Sequence, residues 1–280
     1  MRAVRKGPSM NVLLFYLTLA LYGAASLFYL FYLARPGENT GKISRWLVMA
    51  GFAVHFIFTV ARYLKAGYTP ITNLHESLSF FSLSVVGLFM IFERKYRLVI
   101  LGSFVMPLAL LIMITSAIFP TSIVPLAPAL KSRWLAVHTT MAFFGYAAFA
   151  VAFCAGIMYL IQERFLKKKK LGALYRILPP LDTLDNINYR CLTLGFPLLT
   201  IAIITGAIWA ETAWGAYWSW DPKETWSLIT WFIDAALLHG RLTTGWRGRR
   251  AAIFAVFGFF ILLFTFLGVN LLLEGLHSYK

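Results

Sequence analysis

Apolar runs of about 20 residues recur along almost the whole chain, and this repetition most limits what the chain can fold into. A helix of that length crosses the hydrocarbon core of a bilayer. Lipid offers backbone N–H and C=O groups no partners, so an apolar run that crosses it forms a helix. Eight spans are predicted, at residues 11–33, 46–64, 74–92, 98–118, 134–161, 190–210, 223–240 and 251–273. The sequence therefore predicts an all-α polytopic membrane protein, a bundle of about eight transmembrane helices with an external Trp-rich segment, in a single domain over residues 1–280.

The composition agrees with this class, since 60% of the residues are hydrophobic, only 13% are charged and the mean hydropathy is +0.72. The first run, Val12 to Leu33, is longer than the ~7–15-residue apolar core of a signal peptide, and no small-residue cleavage site accompanies it. We therefore expect it to remain in the protein as a helix. The two cysteines form no CxxC or CxxCH motif, which argues against a zinc site and against covalent haem carried by this chain itself.

Lys and Arg collect in alternate loops, which predicts the orientation of the chain in the membrane. The basic loops are 35–45, 93–97, 163–176 and 240–250, and all four fall on one side if the spans simply alternate. We expect that side to be the cytoplasm, with both termini and segment 211–231 external; the basic N-terminal tail is the exception to the rule. The membrane would be the bacterial inner (cytoplasmic) membrane or a thylakoid-type membrane. The net charge of +15 follows from this topology and requires no nucleic-acid partner.

Segment 211–226, ETAWGAYWSWDPKETW, combines aromatic rings and charges between two apolar runs. Its aromatic residues are Trp214, Tyr217, Trp218, Trp220 and Trp226. A helical turn would place the first three of these rings on one face, since they stand at i, i+3 and i+4. An aromatic belt at the membrane surface is the structural alternative.

The four residues that follow WSW have a structural interpretation of their own. Asp221 as N-cap, Pro222 at the first helical position and Glu224 at the third predict the start of a helix. Lys223 is a cation that could pair with ligand carboxylates. The aromatic rings and this cation together suit a flat, apolar and partly charged ligand.

Five histidines are candidate ligands. His138 and His277 are predicted to reach the same external face as the aromatic segment, and imidazole is a common ligand of haem iron. From the residues alone, a quinone remains as good a flat ligand as haem, and each histidine could simply be interfacial. His239 is expected about 22 Å deeper than Glu224, near the basic side, as an inner ligand or an interfacial residue. His55 lies within a span, and His75 beside the helix cap predicted at Thr72 or Asn73 has no assigned role.

The segment WGAYWSWDPKETWSLITW resembles the tryptophan-rich WWD domain of the haem-handling protein superfamily. The stretches TPITNLHES, WLAVHTTMAFFGYAAF, NYRCLTLGFPLLTIAIITGAIWA and GVNLLLEGLHSY are similar to the CcsA/ResC type within it, the system II cytochrome c assembly proteins. The resemblance covers residues 46 to 279. It departs at His75, where the family more often has tyrosine.

The resemblance implies a chain that moves haem b from the cytoplasmic side to the outside and attaches it to the CxxCH motif of apocytochrome c. Such a chain works with a CcsB/ResB-like membrane protein, as a subunit of holocytochrome c synthase. In the family, external histidines that match His138 and His277 ligate the haem iron at the outer, catalytic site, and the position of His239 belongs to an inner site. The residues expected to contact the macrocycle are Trp214, Tyr217, Trp218, Trp220, Asp221 and Trp226.

Two other functions stay open at this point. One is a haem handler of the system I type, which loads haem onto a chaperone instead of attaching it. The other is a quinone- or ion-linked membrane protein that binds no haem.

Overall fold

The computed structural model describes residues 10–123, 125–126, 130–169, 172–273 and 275. The described residues form helices and connecting loops and no β-strand. The helices are α1 (Met10–Ala34), α2 (Glu38–Ala66), α3 (Leu74–Tyr96), α4 (Gly102–Ile118), α5 (Arg133–Lys167), α6 (Ala173–Ile177), α7 (Leu181–Trp214), α8 (Pro222–Thr243), α9 (Arg249–Leu263) and α10 (Val269–Leu272). A 3-10 turn, Val99–Leu101, leads into α4, and a π-helical segment, Phe264–Gly268, joins α9 to α10.

Within the described ranges, seven helical segments are long and apolar enough to cross a membrane, namely 10–34, 38–66, 74–96, 99–118, 133–167, 181–214 and 249–272. The remaining long helix, α8, has 22 residues, or about 33 Å of length, but is more polar. The chain is therefore an integral membrane protein of about eight long helices, and the predicted fold class is confirmed.

Two helices begin well before the predicted spans. α2 begins at Glu38 instead of residue 46, and α7 begins at Leu181 instead of residue 190. These extensions are polar and were missed because they lie outside the apolar runs. Ion pairs hold both extensions to neighbouring helices: Arg45 Nε lies 3.0 Å from Glu93 Oε1 of α3. Arg241 of α8 pairs with Asp185 at 2.6 Å.

α5 forms the centre of the bundle because small residues let other helices approach its backbone closely. A Cβ added at Gly145 would lie 3.3 Å from the backbone of α7 at Gly195 O. A Cβ added at Gly156 would lie 3.0 Å from Ala252 O of α9. Between these glycines, α5 buries a run of small side chains that includes Ala147, Ala148, Ala150 and Ala152. Helix interfaces in membranes are characteristically built from such small residues.

The loops divide into two ends of the bundle. The Trp end carries segments 67–73, 119–123 and 215–221, and the basic end carries 35–37, 97–98, 168–169 and 244–248. At the basic end, Arg249 at the start of α9 lies 3.5 Å from Glu163 near the end of α5. The described helices thus alternate in direction, and the Trp-rich segment and the start of α5 share one end.

Candidate functional site

The Trp-rich segment is an irregular loop between α7 and α8. Helix α7 ends at Trp214 because Gly215 adopts a left-handed conformation, with φ of 76°, and donates its N–H to Glu211 O at 2.9 Å. The predicted helical face of Trp214, Tyr217 and Trp218 is therefore wrong, since the last two residues lie beyond the helix end. Trp220 also has a positive φ, 58°, an uncommon conformation for a residue with a side chain.

The predicted start of α8 is confirmed and explains how this loop is held. The carboxylate of Asp221 accepts the N–H of Lys223 at 3.1 Å, and Glu224 Oε2 accepts the N–H of Asp221 at 3.1 Å, as in a capping box. Glu224 Oε2 also accepts the N–H of Ser219 at 2.8 Å. One carboxylate thus fixes the helix start and the end of the aromatic loop together.

His138, one turn into α5, is oriented by α7. Its Nδ1 lies 2.6 Å from Ala202 O. A carbonyl oxygen only accepts hydrogen bonds, so Nδ1 of the neutral ring carries the proton and Nε2 keeps its lone pair. The imidazole also lies nearly parallel to Trp209, at 6.4 Å and 14°, and Trp209 contacts Trp214 at 4.8 Å. This arrangement is the one that metal-binding histidines use, with one nitrogen oriented by a carbonyl and the other available as ligand.

His138 lines a cavity of about 90 Å³ between α5, α7, α8 and the π-helical segment. Tyr217 and Trp218 reach this cavity from the Trp-rich loop, and Lys223 and Glu224 reach it from the first turn of α8. Its other walls are Thr139, Ala142, Phe143, Tyr146, Leu199, Ala202, Ile203, Gly206, Ala207, Ser227, Thr265 and Phe266. An oriented imidazole, two aromatic rings of the Trp-rich loop and a cation therefore meet at one site.

Comparisons with known proteins place this arrangement in a family. Residues 71–277 match the family model described as "Cytochrome C assembly protein". The chain belongs to the cytochrome c assembly protein family. It is 41% identical over 237 residues to the cytochrome c biogenesis protein CcsA of Guillardia theta, a match that covers 78% of this chain and 79% of that protein. It is 40% identical over 274 residues to the CcsA of Synechocystis sp., with 78% and 82% covered.

A solved structure shares the fold of this cytochrome c assembly protein. The structure of the cytochrome c haem lyase CcmF superposes with a TM-score of 0.68 at 18% identity, over 95% of this chain. The chain spans about half of that protein, since the match covers 48% of it. The family gives the chain a role in cytochrome c biogenesis, as the resemblance implied, and the superposition shows the shared fold.

Lys223 is held beside His138 by a chain of contacts to the last helices. Its Nζ lies 3.2 Å from Asn270 Oδ1, and Asn270 Nδ2 donates to Phe266 O in the π-helical segment. Thr265 of the same segment lies 2.9 Å from Thr230 of α8. π-helical segments are rare and occur frequently at functional sites. In this family member, the π-helical segment follows α9 and contributes Thr265 and Phe266 to the wall of the cavity.

The structure distributes the other predicted site residues around this cavity. Trp220 contacts Trp218 edge-on at 5.8 Å and is 68% exposed. Trp226 packs on Phe264 at 4.5 Å and does not line the cavity. The predicted site residues Trp220 and Trp226 therefore lie beside the cavity, Trp220 toward solvent and Trp226 against the π-helical segment.

The C-terminal candidate lies beyond the part of the chain that the structure describes. A Cβ added at Gly275, the last described residue, would come into contact with the carboxylate of Asp221. His277 itself lies outside the described residues. The approach of Gly275 to Asp221 brings the end of the described chain to the Trp-rich loop.

The remaining histidines divide into one exposed and two buried residues. His239 lies on α8 at the basic end with its side chain exposed. His55 is buried between Tyr22 Oη at 3.1 Å and Ser79 Oγ at 2.9 Å, which accounts for a polar side chain at that depth. Asn73 caps α3, as predicted, by accepting the N–H of Glu76 at 2.9 Å.

Three residues at the site were not predicted as members of it. Trp209 and Ala202 orient His138 from α7, and Gly206 leaves room for its ring. A glycine inside an apolar helical run was the available signal, since such a glycine often marks a close approach.

Proposed function

We propose that the chain transports haem b across the membrane and presents it for attachment to the CxxCH motif of apocytochrome c. It would act as a subunit of holocytochrome c synthase together with a CcsB/ResB-like partner. The observation that carries this proposal is the orientation of His138: Nδ1 donates to Ala202 O, so Nε2 keeps its lone pair on a ring that lines the cavity beside the Trp-rich loop. In a cytochrome c biogenesis protein, haem is the ligand that needs such an imidazole.

Haem would be a substrate of this protein. The cavity beside His138 and the Trp-rich loop together suit one face or edge of the macrocycle. The cavity has a volume of about 90 Å³, too small to enclose a macrocycle, so haem would lie across its mouth and not inside it. Tyr217, 60% exposed, and Trp220 stand at the Trp end where a flat apolar ring could stack on them. Trp214, Trp218 and Asp221 complete the proposed surface, and Trp226 supports it from α8. His277 is proposed as the second axial ligand of the iron.

Lys223 gives the site a charge that suits haem. A haem carries two propionates, and a partly desolvated ammonium binds a carboxylate by a charge-assisted hydrogen bond. Lys223 lines the same cavity as His138, so one propionate could lie over the cavity while the iron lies over the imidazole. In that pose the vinyl edge of the macrocycle would face solvent, where a CxxCH segment would approach.

The attachment reaction requires mainly that the cysteine thiols and the haem vinyl groups be held in position. Each cysteine S–H adds across a vinyl group, with the sulfur bonded to the carbon next to the ring and the hydrogen to the terminal carbon. No atom is lost, and no resident acid or base has to be consumed. Glu224 is already occupied by the backbone of the loop, which leaves alignment as the contribution of this chain.

His239 is proposed as a ligand of an inner haem site at the basic end. It stands fifteen residues after Glu224 on α8, which corresponds to about 22 Å along the helix. Its exposed side chain on the outside of the described bundle suits a site whose opposite ligand comes from the partner protein. The proposed orientation places the basic end in the cytoplasm and the Trp end with both termini outside, in a bacterial cytoplasmic or thylakoid-type membrane.

Co-expression with a CcsB-like partner and a reporter apocytochrome c tests the proposal. We expect His138→Gly to lower the yield of covalent holocytochrome, and added imidazole to restore part of it, because free imidazole can replace the missing ligand. His239→Ala should lower haem loading before attachment. Normal holocytochrome yield from His138→Gly without imidazole would contradict the outer site. Haem found on a soluble chaperone with no thioether product would favour the system I function.

A further inference from the structure

A long apolar groove opens on the side of the bundle, between α2, α3, α5 and α7. Its volume is about 720 Å³, and its walls include the rings of Phe52, Phe56, Phe80 and Phe144. Two of these rings, Phe56 and Phe144, are 55% and 44% exposed on helices that are long and apolar enough to cross a membrane. The described residues of this groove and of the cavity beside His138 do not overlap. The groove is therefore a separate, lipid-facing feature of the bundle.

The polar groups of the groove are concentrated at one end. Arg94 is the one charged residue among the described residues that line it, and it lies at the basic end of α3. The other polar lining residue, Ser84, is satisfied within α3, because its Oγ donates to Phe80 O at 2.9 Å. The groove thus offers hydrocarbon surface along its length and a cation at one end. This pattern suits a ligand with an apolar tail and an anionic head.

Arg190 on α7 is a second cation at this end of the groove. It precedes Leu194, which lines the groove, by one helical turn, so both residues lie on the same face of α7. Arg190 also interacts electrostatically with Tyr96, two positions beyond Arg94 at the end of α3. Both arginines are exposed. An anionic group at this end would therefore have one guanidinium beside it on α3 and another on α7.

These two arginines have no acidic partner among the described residues. The adjacent acid, Glu93, is buried and already engaged: its carboxylate accepts from Arg45 Nε at 3.0 Å and from Tyr29 Oη at 3.1 Å. Lys95 and Arg97 add further positive charge to the same end of α3. The head of the expected ligand is therefore anionic.

The shape of the groove favours a hydrocarbon chain over a helix. Arg94 and Phe80 line it fourteen residues apart on α3, or about 21 Å along that helix. One leaflet supplies about half of the ~30 Å hydrocarbon core, so the groove is long enough for a whole acyl chain. A volume of about 720 Å³ over ~21 Å gives a mean cross-section of about 34 Å². An α-helix is ~10 Å across and needs more than twice that area.

We propose that the groove holds one acyl chain of an anionic phospholipid from the leaflet at the basic end, with the lipid phosphate between Arg94 and Arg190. Guanidinium groups bind phosphate through charge-assisted and often bidentate hydrogen bonds. The described lining residues include neither histidine nor cysteine, so haem iron would find no imidazole or thiolate there. The bound lipid would join α2 and α3 to α7 along this side of the bundle.

Native mass spectrometry of the purified full chain, released from detergent, tests the proposal. Dioleoyl phosphatidylglycerol and dioleoyl phosphatidylcholine have the same chains and differ in net charge. Dihexanoyl phosphatidylglycerol keeps the anionic head on chains too short to fill the groove. We expect one tight site for dioleoyl phosphatidylglycerol and at least about tenfold weaker binding of the other two lipids. Arg94→Gln should weaken the tight site about fivefold, the contribution of one cation near an anionic lipid surface.

Matched variants separate this site from ordinary lipid contacts. Leu194→Trp fills the groove and should weaken the tight site about tenfold, whereas Ile204→Trp, at an exposed position of α7 that does not line the groove, should not. Arg250→Gln, at an exposed position at the basic end of α9, is the control for charge.

Three results would overturn the proposal and leave only non-specific annular lipid. They are equal affinity for the three lipids, equal losses in Arg94→Gln and Arg250→Gln, and equal losses in the two tryptophan variants. Displacement of the bound lipid by haem or by the CcsB-like partner would also overturn it, because the groove would then belong to that molecule.

Discussion

The ring of His138 and the backbone of Gly206 lie so close that a methyl group on Gly206 would come within 2.6 Å of His138 Nδ1. The hydrogen bond from Nδ1 to Ala202 O needs this approach, since Ala202 precedes Gly206 by one helical turn on α7. The missing side chain at residue 206 is therefore what allows one imidazole nitrogen to be fixed and the other to serve as a ligand.

Gly206→Ala should consequently remove the ligand geometry without unfolding the helix. Alanine favours a helix interior over glycine by about 1 kcal/mol, so any loss comes from the displaced imidazole and not from helix propensity. We expect the holocytochrome yield to fall about tenfold or more, as measured by haem staining of the reporter. Gly23→Ala on α1 is the control, because a Cβ there meets nothing within 4 Å. Equal yields from the two variants would contradict the positioning role of Gly206.

Two substitutions of Asp221 distinguish its role as a helix cap from a direct role of its negative charge. Asp221→Asn keeps a side-chain oxygen for the N–H of Lys223, whereas Asp221→Ala removes it. Loss of an N-cap costs about 1 kcal/mol, so Asp221→Ala should lower the free energy of unfolding by that amount and Asp221→Asn by much less. Thermal unfolding in detergent measures the difference. If Asp221→Asn abolishes holocytochrome formation while stability is unchanged, the negative charge itself takes part.

The number and order of the long helices could be predicted from the sequence, because a long apolar run in lipid has little alternative to a helix. The beginnings of α2 and α7 could not, since the polar segments 38–45 and 181–189 are held by ion pairs such as Arg45–Glu93 that no local pattern shows. The termination of α7 at Gly215 was also missed, although glycine just beyond an apolar run is a known stop signal.

At the candidate site, the meeting of His138 with the Trp-rich loop follows from counting spans and could be predicted. The contacts of His138 with Ala202 and Trp209 depend on how α5 and α7 are rotated and shifted against each other. Helical periodicity gives a face for each helix but not the register between two helices.

Lys223 should act on the propionates of haem and on nothing else in the macrocycle. Lys223→Met keeps the length of the side chain and removes the charge that lines the cavity. A hydrogen bond to a charged group is worth about 1.5–3 kcal/mol, so we expect haem affinity to fall roughly 10- to 100-fold. Titration of the Soret band with haem and with haem dimethyl ester measures this. The ester should bind wild type and variant alike; an equal loss for both ligands would show that Lys223 acts by supporting the fold.

The Arg62–Glu76 pair should be structural, because it ties α2 to α3 and anchors the backbone at Thr121 and Ser122. Removing one member of a buried ion pair leaves the other charge uncompensated and costs about 3–5 kcal/mol. Arg62→Met alone should therefore destabilise the protein strongly, and the double variant Arg62→Met, Glu76→Gln should recover a substantial part of the loss. Chemical unfolding followed by tryptophan fluorescence measures all three proteins. A double variant as unstable as Arg62→Met would mean that the backbone anchors at residues 121 and 122, and not the paired charges, make the larger contribution.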